Sequence, residues 1–116
     1  VKEISSPDLK VLDTTSPKAF NQAMSAANAS AETEMMVRVV QSGTGTAAQI
    51  PGVQVAGKTG TAETTEGAAN TTWFVSFAPA DDPTIAVAVV LEESGGGGGS
   101  QAAPIARSVM QAYLGQ

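Results

Sequence analysis

The sequence predicts an α+β fold, an antiparallel β-meander with helices packed on it. Three observations carry this. Strand-like runs follow one another at roughly 53–62, 73–78 and 84–92. The last two are joined by Pro79-Ala80-Asp81-Asp82-Pro83, too short for a parallel crossover, so the neighbours are antiparallel. A helical segment precedes the strands and an amphipathic one closes the chain, which segregates helices from strands.

Residues 1–13 (VKEISSPDLKVLD) alternate apolar and polar side chains around a Ser-Pro-Asp turn signal and read as two strands of a hairpin. Residues 14–24 contain Ser16-Pro17, an N-cap followed by proline at the first helical position, which predicts a short helix or turn. From Ser25 a firmer helix begins. Ala29, Met36, Val37 and Val40 recur at helical spacing, and Gly43 ends it. Residues 43–52 (GTGTAAQIPG) form a glycine- and threonine-rich loop. Thr44 and Thr46 read there as turn formers in preference to ligands.

The third strand-like run has no polar residue from Ile85 to Leu91, as expected of a strand covered on both faces. Trp73 and Phe74 read as core anchors of the second. Residues 64–72 read as a mobile loop, with Glu63 and Glu66 as exposed charges of no chemical role. Residues 94–100 (SGGGGGS) have the composition of a flexible linker. Residues 102–114 then close the chain as an amphipathic helix. It carries Ile105, Val109, Met110 and Tyr113 on one side and Pro104 in its first turn.

At 116 residues the chain is one domain or a piece of one. Hydrophobic residues make up 42% of the chain but aromatics only 4%, so alanine and valine must do much of the packing and the elements must approach closely. Net charge is −5 and the six basic residues are scattered, which argues against nucleic-acid binding. No run is apolar for the length of a membrane span. Without cysteine or histidine, thiol catalysis, disulfides and the commonest metal sites are excluded. No cofactor is implied.

The stretch around Lys58 admits two chemistries. From Gly52 it reads Gly-x-x-x-x-Gly-Lys-Thr, the spacing of a phosphate-binding loop. Such a loop needs a strand before its first glycine and a helix starting near Lys-Thr, whose free N–H groups hold the phosphate. Here GTAAQIP precedes Gly52 and GTAETTEGAANTT follows Thr59. Neither has the required pattern, so the match is read as accidental. Read from Lys58, the stretch is Lys-Thr-Gly-Thr, a cationic box on a strand. Gly60 has no side chain and lets a substrate backbone lie close. Thr59 offers a hydroxyl and Lys58 a positive charge to a carboxylate, and strand alternation sends these two side chains to opposite faces. A lysine on an edge strand also serves as a plain guard against unwanted pairing.

With Gly43-Thr44-Gly45-Thr46-Ala47-Ala48, Val55-Ala56-Gly57-Lys58-Thr59-Gly60-Thr61-Ala62, and Trp73-Phe74 leading into Phe77-Ala78-Pro79, the chain resembles the penicillin-binding proteins. These are serine D,D-transpeptidases, and the likeness is strongest to the class B type. It covers nearly the whole chain, and implies that residues 1–116 are the C-terminal portion of a transpeptidase domain with a β-lactamase/transpeptidase-like fold. It further implies that Lys58 shapes the electrostatics around a nucleophile, that Thr59 and Gly60 meet the substrate, and that the Thr61 N–H is an oxyanion-hole donor. Losing one such donor costs about 3 kcal/mol of transition-state stabilisation in acyl-transfer sites. The implied partners are peptidoglycan stem peptides and β-lactams, and the implied location is the extracytoplasmic face of a bacterial membrane.

The family's other two boxes are missing. No serine here has lysine three places on or asparagine two places on, and Thr15-Ser-Pro-Lys18 is the nearest imitation. The expectation is therefore a chain that supplies the Lys-Thr-Gly strand but not the nucleophile. It would be inactive alone, and would pair with an upstream remainder of the domain or self-associate through its apolar strand. A serine β-lactamase, a penicillin-sensing receptor domain and a non-catalytic scaffold of the same fold are the competing readings.

Overall fold

The computed structural model describes residues 3–16, 18–63 and 68–116. Strands β1 (Glu3–Ser5) and β2 (Val11–Thr14) form the expected hairpin, within the described part of 1–13. At its turn, Ser6 N–H donates to the Lys10 carbonyl and Leu9 N–H to that of Ser6. Both strands of the hairpin are exposed and contribute nothing to the core.

Neither the short helix nor the turn expected within 14–24 appears among the described residues there, which after β2 show only a bend at Met24, and Pro17 lies outside them. Phe20 is 99% exposed, so no apolar surface is buried there to offset the entropy of ordering a short helix. Helix α1 (Ala26–Ser42) starts instead at Ser25, whose Oγ accepts from the Asn28 N–H at 3.2 Å. Only its C-terminal half packs on the sheet. Val37 and Val40 are buried and Ala29 is exposed.

Strands β3 (Ala56–Ala62), β4 (Thr71–Ala78) and β5 (Ile85–Leu91) make the predicted antiparallel meander, in the order β3-β4-β5. Its core face carries Thr59, Phe74 and Val89 in register, flanked by Gly57, Ser76 and Val87. Phe74 is wholly buried there among Val40, Ala48, Ile50, Val55 and Met110. Alanines 48, 78, 102, 103 and 106 complete that core, as the scarcity of aromatics required.

Three sequence expectations are corrected here. β5 is not covered on both faces: Ile85, Val87, Val89 and Leu91 are half-buried, while Ala86, Ala88 and Val90 are exposed. Its apolar run reflects an outer face that nothing in the described residues covers. Trp73 is no core anchor, since strand alternation places it on that same outer face, 40% exposed. In helix α2 (Ala103–Leu114) the buried stripe is Ala103, Ala106 and Met110, whereas Ile105, Val109 and Tyr113 are exposed. Small residues win the inward face because they let the helix axis come close to the sheet.

The glycine-rich run 94–100 is not a bare spacer over its second half. Gly98–Ala102 form a π-helical turn that leads into α2, and Gly98 is buried. Of the expected loop 64–72, residues 64–67, including Glu66, lie outside the described residues, and Thr71 and Thr72 belong to β4 and are buried. No helix among the described residues is long and apolar enough to cross a membrane.

Candidate active site

Residues 58–61 are extended in β3, which among the described residues has a strand neighbour on one side only. No helix begins at Lys58-Thr59, so the phosphate-loop reading has no structural support. Cross-strand pairs set the directions of the side chains. Lys58 lies opposite Val75 and Gly60 opposite Trp73 on the outer face, while Thr59 lies opposite Phe74 on the core face. Lysine and threonine thus leave the strand on opposite sides, as alternation required.

Lys58 is exposed, and its Nζ donates to the Thr59 carbonyl oxygen. The ammonium therefore rests along its own strand. The cavities bounded by α1, the 49–55 segment and Arg107, and by the end of β5 and Ile105, are lined by other residues. Gly60 keeps its strand thin: a β-carbon there would meet the Trp73 β-carbon at 3.3 Å. Thr61 is exposed opposite buried Thr72, and Glu63 is exposed.

One partner of the Lys-Thr-Gly strand was not legible in the sequence. Thr44, read there as a turn former, places its Oγ1 2.8 Å from Thr59 Oγ1. The loop that delivers it is held at the end of α1. The N–H groups of Gly43 and Gly45 both donate to the Val39 carbonyl, at 3.1 and 3.0 Å. Gly45 is buried, and a β-carbon on it would come within 3.1 Å of Phe74 Cε2. A side chain at Gly45 would therefore crowd the Phe74 ring and Val39. From the opposite direction Gly99 closes in, so near that its β-carbon would lie 2.0 Å from the Thr44 carbonyl oxygen. Thr46, by contrast, opens a 3-10 turn (Thr46–Ala48). The only signal for the Thr44 contact was the pair of glycines around a hydroxyl-bearing residue.

Among the described residues no cluster of acidic side chains could hold a metal ion. What residues 44 and 58–61 present is a cation on the outer face of β3, an extended backbone, and on the core face a hydroxyl coupled to that of Thr44 from the neighbouring loop. That set suits an extended ligand ending in a carboxylate.

The chain matches the family model described as the penicillin binding protein transpeptidase domain over residues 1–111. A peptidoglycan D,D-transpeptidase PbpA of Mycolicibacterium smegmatis is 41% identical over 98% of this chain and 24% of its own length. The chain thus spans about a quarter of such curated relatives. Among solved structures, penicillin-binding protein A from M. tuberculosis as an imipenem acyl-enzyme complex superposes with a TM-score of 0.79. It is 38% identical, and the match covers 97% of this chain and 25% of that one. The D,D-transpeptidase domain of a peptidoglycan glycosyltransferase from Eggerthella lenta gives a TM-score of 0.77 at 40% identity, with 97% and 26% covered.

Proposed function

The chain belongs to the penicillin-binding protein transpeptidase family, and from that premise we propose that it supplies one wall of a peptidoglycan cross-linking site that β-lactams also occupy. The observation that carries this reading is the extended course of 58–61 along a sheet edge, with the Thr59 hydroxyl held by Thr44.

In this reading the nucleophilic serine and its lysine belong to polypeptide outside these 116 residues, since neither remaining box occurs within them. The serine oxygen bonds to the carbonyl carbon of the penultimate D-alanine. The amide C–N bond breaks, and terminal D-alanine leaves with a proton on its nitrogen. An acceptor amine then attacks the ester carbonyl, the C–O bond to serine breaks as the cross-linking amide forms, and a proton from that amine restores the serine hydroxyl. With a β-lactam the same attack opens the ring, and the leaving nitrogen stays tethered.

Each residue here has a part in that sequence. On the outer face of β3, Lys58 supplies positive potential around the nucleophile that favours the negative charge developing there. Thr59 donates a hydrogen bond to the carboxylate, and Gly60 lets the ligand backbone approach. The Thr61 N–H is one donor to the tetrahedral oxyanion, an interaction worth about 3 kcal/mol in such sites. The reaction runs outside the cytoplasm, where peptidoglycan lies. Labelling of the full-length protein with a fluorescent penicillin tests the proposal. A covalent band that survives denaturation is expected, and its absence on correctly folded protein defeats the reading in favour of a scaffold.

A further inference from the structure

We propose that Thr44 is a positioning residue for carboxylate recognition: it donates its hydroxyl proton to Thr59 and so leaves the Thr59 proton aimed at the ligand. The inference rests on the reading of Thr59 given above, and extends it to a residue that does not touch the ligand.

The argument is one of proton inventory. A threonine hydroxyl has one proton and two acceptor lone pairs. The two Oγ1 atoms are 2.8 Å apart, so one of the two protons lies between them. If Thr59 spends its own proton on Thr44, it faces a carboxylate with lone pairs only and repels it. If Thr44 donates, the Thr59 proton is free, and its bond to an anion is strengthened by the bond it accepts. Carboxylate binding therefore selects the direction Thr44→Thr59→ligand. Both side chains are β-branched and stiff at χ1, which suits a fixed relay.

The surroundings fix Thr44 rather than leaving it to a loop's freedom. The flanking N–H groups are tied to Val39, Gly45 lies against the Phe74 ring, and Gly99 sits against the Thr44 carbonyl and within reach of Thr59 Cγ2. Gly43 and Gly45 on either side of Thr44, together with Gly99 from a distant part of the chain, thus border the residue that meets Thr59.

The test compares acylation of the full-length protein by benzylpenicillin and by its methyl ester, whose carboxylate is masked. The wild type, Thr44→Val, Thr44→Ser and Thr59→Val are followed with thermal unfolding in parallel. Thr44→Val is expected to lower the preference for the free acid roughly five- to tenfold, the size of one hydrogen bond's contribution. Thr44→Ser keeps the preference, and the ester reacts at similar rates in all. A purely structural role would slow both compounds together. Thr44→Val with the wild-type preference overturns the inference, as does Thr44→Ser behaving like Thr44→Val. A wild type that no β-lactam acylates overturns instead the reading beneath it. A wild type that is acylated without preferring the free acid overturns Thr59's role and this inference together.

Discussion

Gly98 lies against the main chain of Trp73, so close that a β-carbon on it would stand 2.1 Å from the Trp73 carbonyl oxygen and 3.1 Å from that of Gly60. Both obstacles are backbone atoms of paired strands and cannot swing aside. The π-helical turn at Gly98–Ala102 therefore depends on glycine for space, not for a left-handed φ.

Gly98→Ala is expected to destabilise the protein by about 1–3 kcal/mol, the range for forced overpacking. Gly97→Ala is the control. Its β-carbon would meet nothing nearer than Ser100 Oγ at 3.7 Å, and the change should stay within about 0.5 kcal/mol. Thermal unfolding of the two variants side by side decides it. Equal melting temperatures would mean that the turn does not press on β4.

Gly57 and Phe74 form a second tight pair. A β-carbon at Gly57 would approach Phe74 Cζ to 2.6 Å and Val40 Cγ2 to 3.2 Å. Gly57→Ala should cost about 1–3 kcal/mol, while shortening the ring with Phe74→Leu makes room for the new methyl group. In a double-mutant cycle by urea unfolding, the double variant should lose less than the sum of the singles by about 0.5–3 kcal/mol. Strict additivity would show that the contact is not the cause.

Lys58 is exposed and bonded only to its neighbour's carbonyl among the described residues. Its removal should leave stability within about 0.5 kcal/mol. In the full-length protein, Lys58→Ala should slow β-lactam acylation by roughly 10- to 100-fold, the scale of a lost charged hydrogen bond. Lys58→Arg should recover only part of this, because a planar fork does not replace a compact ammonium. Stopped-flow acylation kinetics give the answer, and an unchanged Lys58→Ala rate would leave the residue a simple edge guard.

Asp8 titrates below the usual aspartate value of 3.8, first because Ser6 Oγ donates to its carboxylate and then through its own backbone N–H. A lowered folded-state value means that ionisation favours the folded turn. That contribution is present above the unfolded-chain pKa and fades as pH falls through the folded one. Side-chain carboxyl NMR should find the midpoint below 3.8, and Ser6→Ala should move it upward. A midpoint unmoved by Ser6→Ala would remove the hydroxyl as the cause.

The meander, both long helices and the Lys-Thr-Gly strand were legible in the sequence because each rests on local information. Ser25 caps α1 and Gly43 ends it, the short Pro79–Pro83 turn dictates antiparallel pairing, and period-two alternation sends Lys58 and Thr59 apart. Composition likewise announced a core of alanine and valine. The short helix or turn expected within 14–24 failed because its local signal had no tertiary surface to bury against.

Only the tertiary structure decided which stripe of α2 faces inward, that Trp73 lies outward while Phe74 is buried, and that Thr44 meets Thr59. Those outcomes depend on how near two backbones can come, a quantity fixed jointly by residues far apart in the chain. Glycines 45, 57, 98 and 99 carry that information. In the sequence they are indistinguishable from flexible punctuation, because a missing side chain acquires meaning only once another element fills the space it leaves.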